Sequence, residues 1–354
     1  AIAAAAVRRL PSAAPDAASG VPVESHEGAR AEVNILSVVE ALSAVERLPA
    51  DLLSSAADAL RRCGEARDSS SVVAQPVDGG LKCETGGAEE PCILAEREGV
   101  CVLWKPPGWA ASVASGGDGG SAERASDGPR GLQKESPGLL QVRHWLAQRL
   151  GQHPIVQDAN ASHGLVHRLD RDTSGALLWA KGYASLHFAR LQFALRRIRK
   201  GYLCAVRGRS RRGSWLLQAP LAEVEGSQGL SRSIVDPDGK PAKTEVLEVG
   251  HFTTSNGDNI SLVEIRLHTG RMHQIRAHMS HVGQPLIGDS LYGAGASPWC
   301  SRIFLHAWNL MLNVGSGHLH VVMPLPTDLG QGAASLEPVD IADRMMVGRW
   351  LARR

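Results

Sequence analysis

Short apolar runs with a period of two dominate the second half of the chain. They begin at Tyr202 (YLCAV), Trp215 (WLLQ), Thr244 (TEVLEV) and Ile260 (ISLVEIRL). Alternation of this kind is typical of half-buried β-strands, and the segment DPDGK at Asp236 is typical of a tight turn between strands. Helical segments lie between these runs without a regular strand–helix alternation. The sequence therefore predicts an α+β domain built on a mixed, mostly antiparallel sheet with flanking helices.

Three segments space their apolar residues as amphipathic helices do. They are residues 138–151, residues 184–199, whose arginines we expect to point outward, and residues 270–281. Ahead of them, the run from Val100 to Trp104 predicts a buried strand that Pro106 ends.

The apolar side chains are distributed unevenly along the chain. Almost all Trp, Phe and Tyr residues lie beyond residue 100. We therefore expect residues 1–90 to form a poorly defined N-terminal extension, residues 91–330 the main folded domain and residues 331–354 a C-terminal tail. Residues 112–137 are rich in Gly and Ser and predict a surface loop that is disordered in the free protein.

Within the extension, residues 33–62 carry two sets of apolar residues at helical spacing, joined near Leu48 to Asp51. This pattern predicts a helical hairpin. One unit of an RNA-binding helical repeat and a partly ordered extension are the alternatives. A single unit does not establish a repeat. Residues 64–91 lack periodicity and predict a linker.

Positive charge is segregated, although the formal net charge is only +2. The stretch from Thr173 to Ala222 contains no Asp or Glu. Its basic residues are Lys181, Arg190, Arg196, Arg197, Arg199, Lys200, Arg207, Arg209, Arg211 and Arg212. Such a density suits a phosphate backbone, and it equally fits a solvated helix face followed by a basic loop.

The remaining composition bears on the compartment. The six cysteines are scattered without zinc-type or disulfide-type spacing, which favours reduced thiols in an intracellular protein. Because no apolar run reaches the roughly 20 residues that cross a bilayer, we expect a soluble protein. The first 15 residues are faintly similar to an organellar transit segment, and the chain lacks an initiator Met, as a fragment would. Cytoplasm, mitochondrion and plastid all stay open.

The segment from Gly164 to Lys181, GLVHRLDRDTSGALLWAK, concentrates polar groups between strand-like flanks. These groups are His167, Arg168, Asp170, Arg171, Asp172, Thr173 and Ser174. They predict a loop that its own hydrogen bonds hold rigid, with a carboxylate presented at the rim of a sheet. From composition alone, an ion-paired turn with only a structural role is the preferred interpretation of the segment.

HRLDRDTSG resembles the catalytic-loop motif of the RluA family of pseudouridine synthases, and it matches at every polar position. Further resemblances follow in the family's order: VLWKPPGW, RKGYLCAVRG, LHTGRMHQIRAHMSHVGQPLIGDSLYG, LHAWNLML and MPLPTDL. They cover about residues 91–328, so residues 91–330 become the expected catalytic domain, with a pseudouridine synthase fold and a central active-site cleft. The resemblance implies that Asp170 is the catalytic carboxylate.

The same resemblance implies roles for two more side chains. Arg276 would face Asp170 and keep it ionised through an opposite charge in a pocket, although a helix-surface arginine that binds phosphate is the alternative, and the preferred one for Arg271. Tyr202 would stack on the exposed uracil and exchange its C5 proton. Ile275 would pack on the other side of the base.

The full set of expected substrate-binding residues is His167, Arg168, Leu169, Thr173, Ile275, Arg271 and His273. The reaction implied is an isomerisation, so no cofactor and no metal are expected. His273 and His278 lack the i, i+4 spacing of a helical zinc site, which favours hydrogen-bonding or RNA-facing histidines.

The expected partner is RNA bound by a monomer; ribosomal RNA is favoured and transfer RNA is the alternative. Two departures from the family leave the identity of the RNA substrate open. The His-Pro pair common after the KPPG turn is replaced by AASVASGG and the long insertion. Residues 1–90 show no RNA-binding domain of the kind common in bacterial members. Two alternatives stay open, a non-catalytic RNA-binding protein that retains the fold and a nucleoside-processing hydrolase.

Overall fold

The computed structural model describes residues 35–39, 49–70, 89–111, 140–225 and 231–352. The loop expected at 112–137 therefore lies outside the described residues, as do most of the N-terminal extension and the middle of the expected hairpin. Residues 35–39 are helical.

The helices of the described ranges are α1 (Ala50–Ser70), α2 (Val142–Leu150), α3 (Tyr183–Ala194), α4 (Gln274–His281), α5 (Thr327–Ala334) and α6 (Ile341–Ala352). Short 3-10 turns occupy Pro154–Gln157 and Ser162–Gly164. The strands are β1 (Cys92–Arg97), β2 (Val100–Lys105), β3 (Ser174–Ala180), β4 (Arg199–Arg207), β5 (Trp215–Leu217), β6 (Leu221–Glu225), β7 (Ser231–Val235), β8 (Thr244–Thr253), β9 (Asn259–Leu267), β10 (Leu305–Asn313), β11 (His318–Val322) and β12 (Glu337–Pro338).

One large sheet organises the described part of the chain. Its order is β1-β2-β3-β10-β4-β9-β8-β12, with β11 paired to β10 and β5 to β8, while β6 and β7 form a separate hairpin. Of the pairs between these strands, β3 with β10 is parallel, and the others are antiparallel. The fold is thus α+β with a mixed, mostly antiparallel sheet, as the alternating runs predicted.

The centre of this sheet is apolar on both sides. β2 and β3 are buried at every residue, which matches their continuous apolar sequences. Trp104 and Trp179, one on each strand, are almost completely buried. This rigid pair of strands carries the turn after Lys105 and the polar loop before Ser174, so the core fixes both ends of the candidate site.

Helix α1 attaches the N-terminal segment to the domain. A Cβ atom at Gly64 would lie 2.4 Å from the Cα atom of Ala184, so only glycine permits this approach of α1 to α3. The carboxylate of Asp68 accepts hydrogen bonds from the backbone N–H groups of Tyr183 and Ala184, at 2.8 and 3.0 Å, and so caps the N-terminus of α3. Residues 64–70, which we expected in a linker, are therefore part of a packed helix.

The segment expected as a C-terminal tail also belongs to the folded unit. β12 pairs with the end of β8, and α6 buries Met346 and Trp350 in a cluster with Phe252 of β8. Arg212 forms ion pairs with Asp343 at 2.8 Å, which ties the helix to the loop after β4. The boundary placed at residue 330 therefore does not coincide with the end of the domain.

Two helices differ from their expected bounds because of left-handed residues. His273 has φ +50°, so α4 begins at Gln274 rather than near residue 270. Arg196 has φ +54°, and α3 ends at Ala194 rather than near residue 199. A left-handed residue cannot continue a right-handed helix. None of the described helices has the length and apolar character needed to cross a bilayer.

Candidate active site

The polar loop before β3 is held in one conformation by backbone and side-chain hydrogen bonds. The N–H of Leu178 on β3 donates to Nε2 of His167 at 3.1 Å, and the N–H of Thr173 donates to the carbonyl oxygen of Asp170 at 3.1 Å. Arg171 and Asp172 form an exposed ion pair beside them. An ion-paired turn is thus present, but Asp170 is not one of that pair.

Asp170 is presented instead to a guanidinium from α4. Nη1 of Arg276 lies 3.3 Å from Oδ2 of Asp170, which is the proximity that the resemblance implied. The side chains are 19% and 14% exposed, so the pair is largely shielded from water and still reachable. The left-handed residue His273 sets the start of α4, and with it the direction in which Arg276 projects.

A second carboxylate fixes this guanidinium. Asp289 accepts hydrogen bonds from Nε and Nη2 of Arg276 at 2.8 and 2.9 Å, a bidentate arrangement. The side chain of Asp289 is fully buried, and its Oδ1 also accepts the N–H groups of Leu291 and Tyr292 at 3.2 Å. Arg276 is therefore oriented by a rigid partner and offers its remaining nitrogen to Asp170.

The sequence reasoning missed Asp289. A signal was available, because an arginine flanked by apolar residues on a helix needs an anion, and Asp289 is the first acidic residue after Arg276 in the chain. Burial alone lowers the pKa of Arg276. The hydrogen bonds and charge of Asp289, with the charge of Asp170, outweigh that effect and raise the pKa above its ordinary value, so the guanidinium is always charged.

Lys105, at the end of β2, was also missed. Its buried Nζ donates to the carbonyl oxygens of Pro106 and Arg171, at 2.9 and 2.8 Å, and so ties the turn after β2 to the polar loop. Burial lowers the pKa of Lys105 to about 7, while the charges of Asp170 and Asp172 oppose this shift. A cation that titrates near neutral pH therefore lies within electrostatic range of the candidate catalytic carboxylate.

His273 approaches the same oxygen of Asp170 as Arg276 does. Its Nε2 is 3.9 Å from Oδ2 of Asp170, and its Nδ1 is 3.3 Å from the hydroxyl of Tyr292. The ring of Tyr292 meets His273 edge to face and lies under the guanidinium of Arg276. Burial lowers the pKa of His273, against the opposing charge of Asp170, so this imidazole is neutral at pH 7.

Tyr202 is buried in β4, opposite Ile265 of β9. Burial raises the pKa of its phenol, and the negative charge of Asp170 raises it further. The hydroxyl therefore keeps its proton at neutral pH and lies close enough to sense Asp170. Ile275 is buried in the same apolar cluster.

The other expected substrate-binding residues have different surroundings. Arg168 is exposed, and Leu169 is buried. Thr173 is buried, and its Oγ1 has no hydrogen-bond partner among the described residues. Nε of Arg271 donates to the carbonyl oxygen of Pro241. The ring nitrogens of His167 bond to backbone atoms of Leu178 and Arg168, so this side chain braces the loop.

The histidine of α4 that could suggest a metal site is also satisfied internally. Both ring nitrogens of His278 lie 2.9 Å from protein oxygens, Oγ1 of Thr244 and the carbonyl oxygen of Ala219. This is the hydrogen-bonding role that we expected of it.

A third missed residue, Arg302, supports the far end of the loop. Its Nη1 donates to the carbonyl oxygen of Asp172 and its Nη2 to Oγ of Ser174, both at 3.1 Å, while its Nε pairs with Asp328 at 2.6 Å. Oγ of Ser174 is in turn 3.0 Å from Nδ1 of the buried His306 on β10. The loop is thus anchored from β2, β3 and β10, and Asp170 within it contacts Arg276.

Comparison with known proteins shows which families the chain is similar to. Residues 130–281 match the family model for RNA pseudouridylate synthase, a span that contains Asp170, Tyr202 and Arg276 but not Asp289. An uncharacterized RNA pseudouridine synthase of Chloroflexus aurantiacus is 41% identical over 169 residues, which is 47% of this chain and 51% of that protein. The ribosomal large subunit pseudouridine synthase D of Nitrosomonas europaea is 35% identical over 247 residues, 67% of this chain and 62% of that protein.

The chain therefore spans about half to three-fifths of the length of these curated relatives. Among solved structures, human RNA pseudouridylate synthase domain containing 1 is similar over 77% of this chain and 100% of that chain, at 23% identity and a TM-score of 0.48.

Proposed function

We propose that the chain belongs to the RNA pseudouridylate synthase family, whose model matches residues 130–281, and that it isomerises uridine to pseudouridine in RNA, with Asp170 as the catalytic carboxylate. The observation that carries the proposal is the contact of Asp170 with Arg276, whose guanidinium Asp289 holds on its other edge. A carboxylate with this support is held in one orientation, which a nucleophile or general base at a sugar requires.

The reaction rearranges one nucleotide without a net loss or gain of atoms. The bond between uracil N1 and ribose C1′ breaks, a bond forms between C1′ and uracil C5, C5 releases its proton and N1 becomes protonated. Asp170 serves this sequence either by forming a covalent adduct or by assisting loss of the base. Both routes need an ionised carboxylate beside the sugar, so both are compatible with the geometry.

Tyr202 is the group that we assign to the base. Its phenol remains protonated because burial and the charge of Asp170 raise its pKa, so it can stack on uracil and take part in the exchange of the C5 proton. The target uridine must leave its helical stack to reach this depth, and an aromatic face then replaces its stacked neighbours. The neutral imidazole of His273 lies 3.9 Å from the same oxygen of Asp170 that Arg276 contacts.

We propose ribosomal RNA as the substrate class. Relatives that match 62% to 70% of their own length are described as ribosomal large subunit pseudouridine synthases C and D. The acid-free basic stretch from Thr173 to Ala222 fits a large, structured RNA, because a highly charged backbone rewards many cationic contacts.

Release of tritium from RNA labelled at uracil C5 tests the proposal. We expect the wild-type chain, incubated with a labelled transcript of large-subunit ribosomal RNA, to release tritium to water, and Asp170→Asn to abolish release while it still binds the RNA. Asp172→Asn is the matched control, because Asp172 is a carboxylate two residues away that is exposed and paired with Arg171. It should retain release.

The alternatives predict other results. A non-catalytic RNA-binding protein would bind the transcript and release nothing, and a nucleoside-processing hydrolase would yield free uracil. Either result, or a fully active Asp170→Asn, would contradict the proposed function.

A further inference from the structure

A cavity of about 420 Å³ lies at the end of the sheet where β4 begins and β10 ends. Its lining residues are Gln192, Arg197, Arg199, Met311, Leu312, Asn313 and His318. The volume falls within the roughly 300–1,000 Å³ of sites that bind small molecules. None of the lining residues belongs to the candidate active site, so the cavity is a separate feature.

The cavity is positively charged. Arg197 and Arg199 are exposed, and neither side chain has a carboxylate partner among the described residues. None of the lining residues is acidic. Two guanidiniums that share a concave site attract an anion, and the fork of arginine donors matches the oxygens of a phosphate group.

Gln192 adds a second kind of binding group. This residue of α3 is only 6% exposed, and its Oε1 has no hydrogen-bond donor among the described residues. A buried acceptor without a donor is unfavourable. Because the terminal torsion of glutamine is broad, the amide can turn toward an occupant of the cavity that brings a hydroxyl group.

The position of the cavity relates it to the candidate active site. Arg199 and Tyr202 lie on the same strand, β4, three residues apart, which corresponds to a separation on the order of 10 Å along the strand. Side chains three residues apart on a strand point to opposite faces of the sheet, so Arg199 does not line the pocket around Tyr202. At this distance the cavity is within reach of RNA that flanks the target uridine.

We propose that this cavity binds a ribonucleotide unit of the substrate RNA that flanks the target uridine. The phosphodiester contacts Arg197 and Arg199, and the ribose 2′-hydroxyl donates to Gln192. The inference rests on the proposed function for the identity of the RNA. The 2′-hydroxyl contact gives this part of the surface a means to distinguish RNA from DNA.

Salt dependence of RNA binding tests the phosphate contacts. The probe is a 30-nucleotide stem–loop RNA with uridines in the loop, and the double variant Arg197→Gln/Arg199→Gln is compared with Arg196→Gln. Arg196 is an exposed neighbour that does not line the cavity. We expect the slope of log affinity against log salt to fall in magnitude by about 1 to 2 in the double variant, and to change by less than half of that in the control.

A comparison of RNA with DNA of the same sequence tests the hydroxyl contact. We expect the wild type to prefer RNA, and Gln192→Met to reduce that preference at least threefold without lowering the melting temperature, because methionine fills the space and removes the unsatisfied amide. A merely structural glutamine would leave the preference intact. An unchanged preference in a folded Gln192→Met would therefore refute the hydroxyl contact.

The outcomes separate the cavity from the reaction. If the wild type releases tritium while the double variant and the control show the same salt slope, the cavity does not bind phosphate and the proposed function stands. If the wild type releases no tritium but the double variant still loses affinity and slope, the cavity is an RNA site and the proposed reaction is wrong. Displacement of the RNA probe by an acidic peptide but not by unlabelled RNA would overturn the inference.

Discussion

Replacement of Asp289 by Asn tests whether the second carboxylate orients the site. The change keeps the volume of the side chain but removes the charge that faces Nε and Nη2 of Arg276. Removal of one partner from a buried ion pair costs about 3–5 kcal/mol. Since Arg276 is 14% exposed and still contacts Asp170, we expect the lower end of that range, about 3 kcal/mol.

For a domain of this size, a loss of about 3 kcal/mol lowers the melting temperature by roughly 6–12 °C. The effect on the reaction should be larger than stability explains, because a guanidinium displaced by about 1 Å can cost on the order of 10²-fold in rate. Both quantities are accessible, the first by thermal unfolding followed by circular dichroism and the second as kcat/KM for tritium release below the unfolding transition.

Glu248→Gln is the control for this variant. Glu248 also pairs with an arginine, Arg349, but both side chains are about half exposed, and a surface pair contributes about 0–1 kcal/mol. A folded Asp289→Asn with kcat/KM within threefold of the wild type would refute the orienting role of Asp289, whatever its melting temperature.

Two further predictions concern stability. Burial lowers the pKa of Lys105 to about 7, so between about pH 7 and 9.5 the unfolded chain holds a proton that the folded chain lacks, and the stability of the wild type rises with pH in this window. The melting temperature of Lys105→Met relative to the wild type should therefore fall as pH rises. A difference in melting temperature that stays constant with pH would contradict the burial of this lysine. Trp350 is fully buried in α6, so Trp350→Ala should lower the free energy of unfolding, measured with urea, by about 3–5 kcal/mol. A loss below about 1 kcal/mol would contradict the packing of residues 331–352 against the domain.

The strands and the local motifs could be predicted because they depend on near neighbours in the chain. The alternating runs at Tyr202, Thr244 and Ile260 each became a strand, since alternation reports directly which side chains face a core. The exact start of α4 could not be predicted in this way. A non-glycine residue with positive φ, such as His273, depends on the contacts that hold it, here with Tyr292 and Asp170.

The supporting charges escaped prediction for a related reason. A lysine at a strand end, such as Lys105, ordinarily reaches water, and nothing local marks it as buried beside the polar loop. Arg302 lies 128 residues from Ser174, which it contacts. The apolar residues of helix α6 do not form one face that predicts its burial. Met346 and Trp350 are buried, while Ile341 and Met345 are exposed. Burial of this kind is decided by the tertiary fold.

The division of Arg276 between two carboxylates has a chemical consequence for the proposed reaction. Asp289 takes the two short hydrogen bonds, at 2.8 and 2.9 Å, and Asp170 receives one of 3.3 Å, longer than the 2.7–2.9 Å usual for a charge-assisted bond. One guanidinium thus serves two carboxylates, and the three groups together carry a net charge of −1. Asp170 is oriented by Arg276 without being neutralised by it. A carboxylate that must attack a sugar or remove a proton needs this combination, since a short bidentate pair would hold its lone pairs away from the substrate.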